Sequence, residues 1–274
     1  AQMRESEAKA GDGQIDALGL AHCPPLPLYV QPVAADRLSL RYRTFAHDVE
    51  RVSLAVRGGG HNVAGYGTCE GGIVLDLSPM RRVEVDPAAR TATVQGGATW
   101  ADVDEATQRH GLATPGGEVA ATGVAGLTLS GGYGMLRRKL GLTCDNLLAV
   151  EVVTADGRLV RGDADENPDL LWACRGGGGN FGVVTRFTFR LHPVGPRVFR
   201  LTVAYPAEEA RAVLRAWRAF TDDAPDAATT AAFTWRVPAA PDLPTELHGR
   251  RIVVVEGMYA GSVDDGERCL APLR

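Results

Sequence analysis

Hydrophobic and polar positions follow a two-residue period along much of the chain. This period predicts β-strands, because successive side chains of a strand point to opposite faces. The alternation is clean at residues 183–191, where Phe187, Phe189 and Leu191 share one face with arginine and threonine on the other. Short apolar runs or alternation predict further strands at residues 54–56, 73–77, 83–85, 91–95, 147–154 and 159–161.

Two helices are predicted by the residues that begin and end them. Thr99 stands three positions before Asp102, which is the spacing of a capping box, and Gly111 follows the last apolar position. Asn167 as the cap and Pro168 as the first residue begin the second helix, which ends before the glycines at residues 176–179. Each helix is therefore predicted to lie between two strands.

The pattern changes after residue 195, where glycine becomes rarer and the periodic elements longer. Strands are predicted at residues 199–205, 231–237 and 252–259. Between the first two lies a helix whose apolar positions have helical spacing, namely Ala210, Val213, Leu214, Trp217 and Phe220. Ser262 with Asp265 begins a last helix. We therefore predict a domain boundary at residue 195, followed by a sheet backed by helices.

Glycines, of which the chain has 33, concentrate in short runs that join predicted strands. The sharpest run is residues 58–60, directly after the first predicted strand, where backbone N–H groups without Cβ bulk could converge on phosphate oxygens. A plain tight turn is the alternative. Neither this loop nor residues 131–134 has the G-x-G-x-x-G spacing, and no P-loop motif occurs. The usual nicotinamide dehydrogenases and the P-loop NTPases are therefore disfavoured.

Two further residues are candidates for chemistry. His61 follows the glycine run and is held close to whatever the loop binds, although a surface or capping histidine is the alternative. Cys144 lies in a polar turn that enters a buried strand, and its alternative is an inert core thiol. The remaining histidines and the five cysteines lack metal-ligand spacing, so no metal site is predicted. No G-x-S-x-G or H-E-x-x-H motif supports hydrolysis.

Charge and composition narrow the class of protein. The formal net charge is −4 and no basic block is long enough to follow a phosphate backbone, so nucleic acid is not an expected partner. No run approaches the ~18 apolar residues of a membrane helix, and the N-terminus lacks the apolar run of a signal peptide. We expect a cytoplasmic protein without a membrane partner. Residues 1–27 are polar and then proline-rich, which predicts a poorly defined N-terminal arm.

Five segments follow one another in a fixed order, at residues 57–62, 71–77, 114–117, 141–146 and 175–182. Their residues and spacing resemble the FAD-linked oxidases of the vanillyl-alcohol oxidase superfamily, and most of all the berberine-bridge-enzyme-like group. The match extends from about Val30 to Arg274. The resemblance implies an α+β fold, with a two-subdomain PCMH-type FAD-binding domain at residues 28–195 and the first part of a substrate domain at residues 196–274. In the substrate domain, an antiparallel sheet is covered by helices.

The resemblance also implies the cofactor and its contacts. In the family, the loop matching residues 57–62 cradles the pyrophosphate of FAD, the histidine matching His61 is bonded to flavin carbon 8α, and the cysteine matching Cys144 is bonded to flavin C6 in doubly linked members. Many relatives have alanine at the cysteine position, so bicovalent FAD is expected here. The implied cofactor-binding residues are Arg57, Gly58, Gly59, Gly60, His61, Asn62, Gly116, Gly117, Thr122, Gly123, Gly126, Cys144, Asp145, Asn146, Val183 and Val184.

The activity implied by the resemblance is oxidation of an alcohol, a sugar or a natural product. The substrate gives a hydride to the flavin, and O2 then reoxidises the flavin and yields H2O2. A dehydrogenase with another electron acceptor and a non-catalytic flavin-binding remnant are the alternatives. Relatives continue past the position of Arg274 with further strands and the catalytic base, so we expect this chain to be C-terminally truncated. The sequence assigns neither a base nor an oligomeric state.

Overall fold

The computed structural model describes residues 53–241 and 243–274, together with the backbone of one earlier strand. The predicted arm at residues 1–27 lies outside these residues. Up to residue 195 the elements are β1 Leu28–Val30, β2 Leu54–Arg57, β3 Ile73–Asp76, β4 Val83–Asp86, β5 Thr91–Gln95, α1 Trp100–Gln108, β6 Leu112–Ala113, α2 Val124–Leu129, α3 Arg137–Leu140, β7 Leu147–Val153, β8 Leu159–Gly162, α4 Pro168–Cys174, β9 Val183–Arg190 and β10 His192–Pro193. They are followed by β11 Phe199–Pro206, α5 Ala210–Asp223, β12 Ala228–Arg236, β13 Arg251–Tyr259 and α6 Val263–Leu270.

A small parallel sheet has the strand order β1-β3-β2. All of its central strand β3 is buried, as the continuous apolar run of a central parallel strand requires. Arg57 at the end of β2 is in register with Asp76 at the end of β3. Because parallel strands bring their carboxyl ends to one edge, the glycine loop after β2 begins beside the end of β3.

A five-stranded antiparallel sheet has the order β4-β5-β9-β7-β8. In it, the strands predicted at residues 83–85 and 91–95 pair as one hairpin, and those predicted at residues 147–154 and 159–161 pair as another. The alternation of β9 is confirmed, because Phe187 and Phe189 are fully buried and Arg190 is exposed. Trp100 at the start of α1 packs against Phe189 with 6.1 Å between the ring centroids. The core of this part of the chain therefore lies between the sheet and α1.

The predicted capping box of α1 is confirmed, whereas the structure differs from the sequence-based prediction at the start of α4 and at α2. The backbone N and the Oγ1 of Thr99 both donate to the Asp102 carboxylate, at 2.7 and 2.8 Å. Asn167 precedes α4 as predicted, but it adopts a left-handed φ of 48° and its amide donates to the Arg161 carbonyl instead of capping the helix. The apolar run at residues 124–129, for which no element was predicted, is the short helix α2.

The strands after residue 195 form a separate antiparallel sheet with the order β11-β13-β12. Its core includes Leu201, Val255 and Leu270, and α5 adds partly buried Val213 and Trp217. The predicted cap of the last helix is confirmed, because Ser262 Oγ accepts from the Asp265 N–H. In the part of the chain that the structure describes, no helix has both the length and the apolar character to cross a membrane.

The short helix α3 joins the two parts of the molecule through backbone carbonyls. The Arg138 guanidinium donates to the Ala228 and Ala224 carbonyls, at 3.1 and 2.9 Å. The Lys139 ammonium donates to the Ala260 carbonyl at 2.5 Å. The C-terminal sheet is therefore attached to the helix that directly precedes the turn of Cys144.

Candidate functional site

The loop at residues 57–62 is anchored by a partly buried ion pair. Arg57 Nη1 donates to Asp76 Oδ2 at 2.9 Å, and Asp76 is only 1% exposed. A Cβ atom on Gly60, which has a φ of +72°, would lie 3.1 Å from Arg57 Nε, so the guanidinium packs beside the loop. His61 at the tip is exposed, and its side chain has no hydrogen-bond or ion-pair partner among the described residues.

This loop lies directly against the segment that begins α2. A Cβ atom on Gly59 would lie 2.3 Å from the backbone N of Gly123, and a Cβ on Gly123 would lie equally close to the N of Gly59. Neither position tolerates a side chain without movement of the backbone. A Cβ on Gly58 would lie 3.7 Å from the Cβ of Ala125. The fold therefore brings together three residues predicted for the site, Gly58, Gly59 and Gly123.

Backbone N–H groups at this junction have no acceptors in the part of the chain that the structure describes. Within the described residues, none of the N–H groups of residues 58–62 donates a hydrogen bond, and the same holds for Gly123 and Ala125. Consecutive N–H groups of this kind attract anions, because each carries a partial positive charge. The junction can thus hold the oxygens of a phosphate or diphosphate.

Helix α2 is also the point where the other glycine segments meet. Cβ atoms on Gly117 and Gly132 would lie 2.8 and 2.4 Å from the two methyl carbons of Leu127. The N–H of Gly178 donates to the Leu129 carbonyl at 2.8 Å. A Cβ on Gly116 would be 2.4 Å from the Trp100 ring. Glycines shortly before α2, shortly after it and about 50 positions later in the chain therefore contact this one six-residue helix.

Cys144 lies in a turn that is tied to the neighbouring glycine segment. Its N–H donates to the Gly131 carbonyl at 2.9 Å, and the thiol is not in a disulfide. Burial, and then the charge of the adjacent Asp145 carboxylate, raise the pKa of the Cys144 thiol above its usual value. The Asp145 carboxylate itself accepts from the N–H of Leu142 at 2.8 Å. Cys144 is therefore a protonated, 6% exposed thiol at neutral pH.

Asn146 holds the same turn from inside. Its amide nitrogen donates to the Leu140 and Leu142 carbonyls, each at 2.9 Å, and its Oδ1 lies 2.7 Å from His192 Nε2. Asn146, Asp145 and Arg57, all predicted to bind the cofactor, thus have protein partners for their side chains. No role was predicted for His192 from the sequence. Its hydrogen bond with Asn146 is the contact that connects it to the site.

Val183 and Val184 begin β9 beside the parallel sheet. Val183 packs against Leu75, Leu77 and Met80, and a Cβ on Gly96 would lie 2.5 Å from the Val184 carbonyl oxygen. The position of a Cβ on Gly58 lies 3.4 Å from the Gly96 carbonyl oxygen, so Gly96 lies between β9 and the loop. Gly96 was not predicted to belong to the site, although a glycine pair directly after a predicted strand was an available signal.

One glycine segment does have the dinucleotide spacing. Residues 177–182 satisfy G-x-G-x-x-G. In the structure this segment follows α4 and precedes β9, whereas a dinucleotide-binding turn leads from a strand into a helix. The spacing is therefore coincidental, and a nicotinamide site of the usual kind stays disfavoured.

Comparisons with known proteins agree with this architecture. A family model described as an FAD binding domain matches residues 27–163. The FAD-linked oxidoreductase YvdP of Bacillus subtilis is 35% identical over 228 residues, which are 81% of this chain and 48% of that protein. The solved structure of 6-hydroxy-D-nicotine oxidase from Arthrobacter nicotinovorans has a TM-score of 0.72 and 34% identity, and covers 81% of this chain and 48% of its own.

Two plant structures extend the comparison. BBE-like 1 of Physcomitrella patens has a TM-score of 0.71 and 30% identity, and covers 81% of this chain and 46% of its own. Phl p 4, a grass pollen allergen with glucose dehydrogenase activity, has a TM-score of 0.68 and 30% identity, and covers 80% and 44%. The chain spans about half the length, or less, of the curated relatives it matches. It belongs to the FAD-linked oxidoreductases with a PCMH-type FAD-binding domain, among the relatives of the berberine-bridge-like enzymes.

Proposed function

We propose that this chain is the cofactor-binding part of an oxidase that acts on an alcohol, a sugar or a related natural product. Bound FAD supplies the acceptor for the substrate's hydride, and O2 is the final acceptor, which yields H2O2. The observation that carries this proposal is the junction of residues 58–62 with Gly123, where consecutive N–H groups have no acceptor among the described residues. A small-molecule substrate and O2 are accordingly the proposed partners.

The residues of the junction fit the diphosphate of FAD. The loop contributes N–H groups instead of cationic side chains, because the Arg57 guanidinium is already paired with Asp76. Gly126, on the first turn of α2, is exposed, and no neighbouring atom of residues 53–241 or 243–274 lies within 4 Å of the position of a Cβ. This open space beside the unpartnered N–H groups leaves room for the cofactor.

We further propose that FAD is joined covalently to His61 and Cys144. Each attachment would replace the N–H of His61 or the S–H of Cys144, together with one flavin C–H, by a single N–C or S–C bond, and the two hydrogens with their electrons would pass to O2 and yield H2O2. Two features support the assignment: the imidazole of His61 is exposed and has no partner in the described residues, and Cys144 is a free thiol in the turn that pairs with residues 131 and 132. Two attachments would fix the flavin ring and favour its reduction, since each ~30 mV added to a two-electron couple corresponds to ~1.4 kcal/mol.

The covalent bonds are tested by denaturation. We expect yellow colour and flavin fluorescence to stay with the denatured wild-type chain, to persist in part in His61→Ala and in Cys144→Ala, and to be lost from the double variant. His110→Ala and Cys174→Ala are matched controls, because one is an exposed histidine and the other a buried free thiol elsewhere. Flavin that washes off the wild type, or stays on the double variant, contradicts the assignment.

A dehydrogenase is the second candidate function, favoured by the glucose dehydrogenase activity of Phl p 4. The test is to compare H2O2 release in air with reduction of an artificial dye under nitrogen, using a panel of sugars and alcohols. Peroxide at a rate comparable to dye reduction supports the oxidase. Dye reduction alone supports the dehydrogenase, and no turnover with either acceptor supports a non-catalytic flavin-binding remnant.

A further inference from the structure

The turn that carries Cys144 is held by a network that reaches a distant part of the chain. His192 lies on β10, which pairs with β6 at Ala113. Its Nε2 is 2.7 Å from Asn146 Oδ1. Both N–H groups of the Asn146 amide are donated to carbonyls, so Oδ1 is the acceptor and His192 carries its hydrogen on Nε2. The histidine therefore fixes the orientation of the Asn146 amide.

The oriented amide of Asn146 also bridges the residues that begin the Cys144 turn. The two carbonyls that it binds, of Leu140 and Leu142, lie on either side of Gly141, which has a φ of +78°. On the other side, the N–H groups of Thr143 and Cys144 donate to the segment of residues 131–132. The backbone at Cys144 is thus held from two directions, and Asn146, only 3% exposed, supplies one of them.

We propose that His192 is a positioning residue that, through Asn146, holds Cys144 in place for its bond to the cofactor. The inference rests on the proposed attachment at Cys144. Without the Nε2–H donor, the buried Oδ1 of Asn146 is left unpaired, and an unpaired buried acceptor favours rearrangement. The amide then loses its fixed orientation, the turn opens more often, and the thiol of Cys144 is held less well against the cofactor.

The experiment compares variants of His192 in the flavin-containing protein. His192→Leu removes the donor, and His192→Gln restores an N–H group near the position of Nε2. Peptide mass spectrometry measures two quantities: the share of Cys144 that carries flavin, and the iodoacetamide alkylation rate of Cys144 in molecules where it carries none. For His192→Leu we expect alkylation about tenfold faster and a flavin share several-fold lower, with both restored by His192→Gln.

A matched control separates positioning from general loosening of β10. The Gln108 amide donates to the Leu112 carbonyl on β6 at 2.8 Å and to the carbonyl of Val194, directly after β10, at 3.0 Å, and it has no hydrogen bond to Asn146. Gln108→Leu should leave Cys144 alkylation and flavin share at wild-type values. If this variant reproduces the effect of His192→Leu, or if folded His192→Leu matches the wild type, the positioning role is wrong.

Two further results of this experiment are also interpretable. If His192→Leu does not fold, His192→Asn replaces it, because the shorter amide does not reach Asn146, and the same changes are expected. If wild-type Cys144 carries no flavin, the proposed attachment fails, and the alkylation rates still decide whether His192 controls the turn.

Discussion

At the scale of single residues, the site depends on two glycines with opposite surroundings. Gly59 has no room for a methyl group, because the backbone of Gly123 occupies the position, whereas no described residue lies within 4 Å of the Cβ position of Gly126. The identity of the residue alone does not distinguish the role of Gly59 from that of Gly126, since both are glycine. A steric role should be visible in the protein without cofactor, and a ligand-facing role only when the cofactor is bound.

Gly59→Ala should destabilise the fold itself. The new Cβ would overlap backbone atoms, so the loop or α2 has to move, with a loss of about 2–4 kcal/mol in the free energy of unfolding. Urea denaturation measures this loss. Gly179→Ala is the control, because nothing lies within 4 Å of its Cβ position. Equal stability of the two variants would show that the close approach of residues 59 and 123 is wrong.

Gly126→Ala should weaken binding of the cofactor without destabilising the fold. Alanine favours a helix over glycine by about 1 kcal/mol, so the stability of cofactor-free protein should stay the same or rise. The methyl group would project into the space proposed for FAD, and we expect less non-covalently bound flavin to be retained in a His61→Ala/Cys144→Ala background. Unchanged flavin retention, measured by absorbance after gel filtration, would place the cofactor elsewhere.

At the scale of elements, the capping box of α1 combines local and long-range contacts. Burial works to raise the pKa of the Asp102 carboxyl, but hydrogen bonds from Arg81 and Thr99 outweigh it and hold the pKa below its usual range. A carboxyl with a lowered pKa in the folded state stabilises the fold above its unfolded pKa, and this contribution is lost as the pH falls through the folded value.

Asp102→Ala should therefore lower the free energy of unfolding by about 1–2 kcal/mol at pH 7, and the difference from wild type should shrink toward pH 2. Asp102→Asn, which keeps an acceptor oxygen for Thr99, should lose less at pH 7, and its difference from wild type should likewise shrink toward pH 2, because the pH dependence belongs to the wild-type carboxyl. Chemical denaturation over the pH range makes the comparison. A difference that grows as the pH falls would contradict the assigned ionisation.

Elements with a long or strongly marked pattern were predicted from the sequence, and short ones were not. β9 was predicted because its residues alternate from Arg186 onward, with Phe187 and Phe189 buried and the residues between and after them partly or fully exposed. The six residues of α2 include Gly126 and span fewer than two turns, which is too short for a helical period. Asn167 has the identity of a cap, but its φ is set by the loop before α4, so its side chain binds elsewhere.

At the scale of the whole molecule, α3 connects the cofactor-binding part to the C-terminal sheet. An Arg138→Ala/Lys139→Ala variant removes three hydrogen bonds from charged donors to carbonyls of that part. We expect a loss of about 2 kcal/mol in stability and faster hydrogen exchange at the start of β12.

Arg137→Ala is the matched control for this variant. The Arg137 side chain is bonded to Gly134 and paired with Glu118, both in the same part of the chain as α3. Its removal should leave exchange in β12 unchanged. If the double variant also leaves exchange unchanged, the attachment of the C-terminal sheet does not depend on α3.

The sequence by itself determined most of the strands, the capping box of α1, the cap of the last helix, the glycine loops and the family, because each leaves a local pattern of periodicity, caps or spacing. Only the tertiary structure decided which glycines are needed for close packing, that α2 is where their segments meet, and that His192 reaches Asn146. The contact of Asn146 with His192 joins residues 46 positions apart, and that of Gly59 with Gly123 joins residues 64 positions apart. Such distances leave no periodicity in the chain, and the contacts form only when separate segments pack on one another.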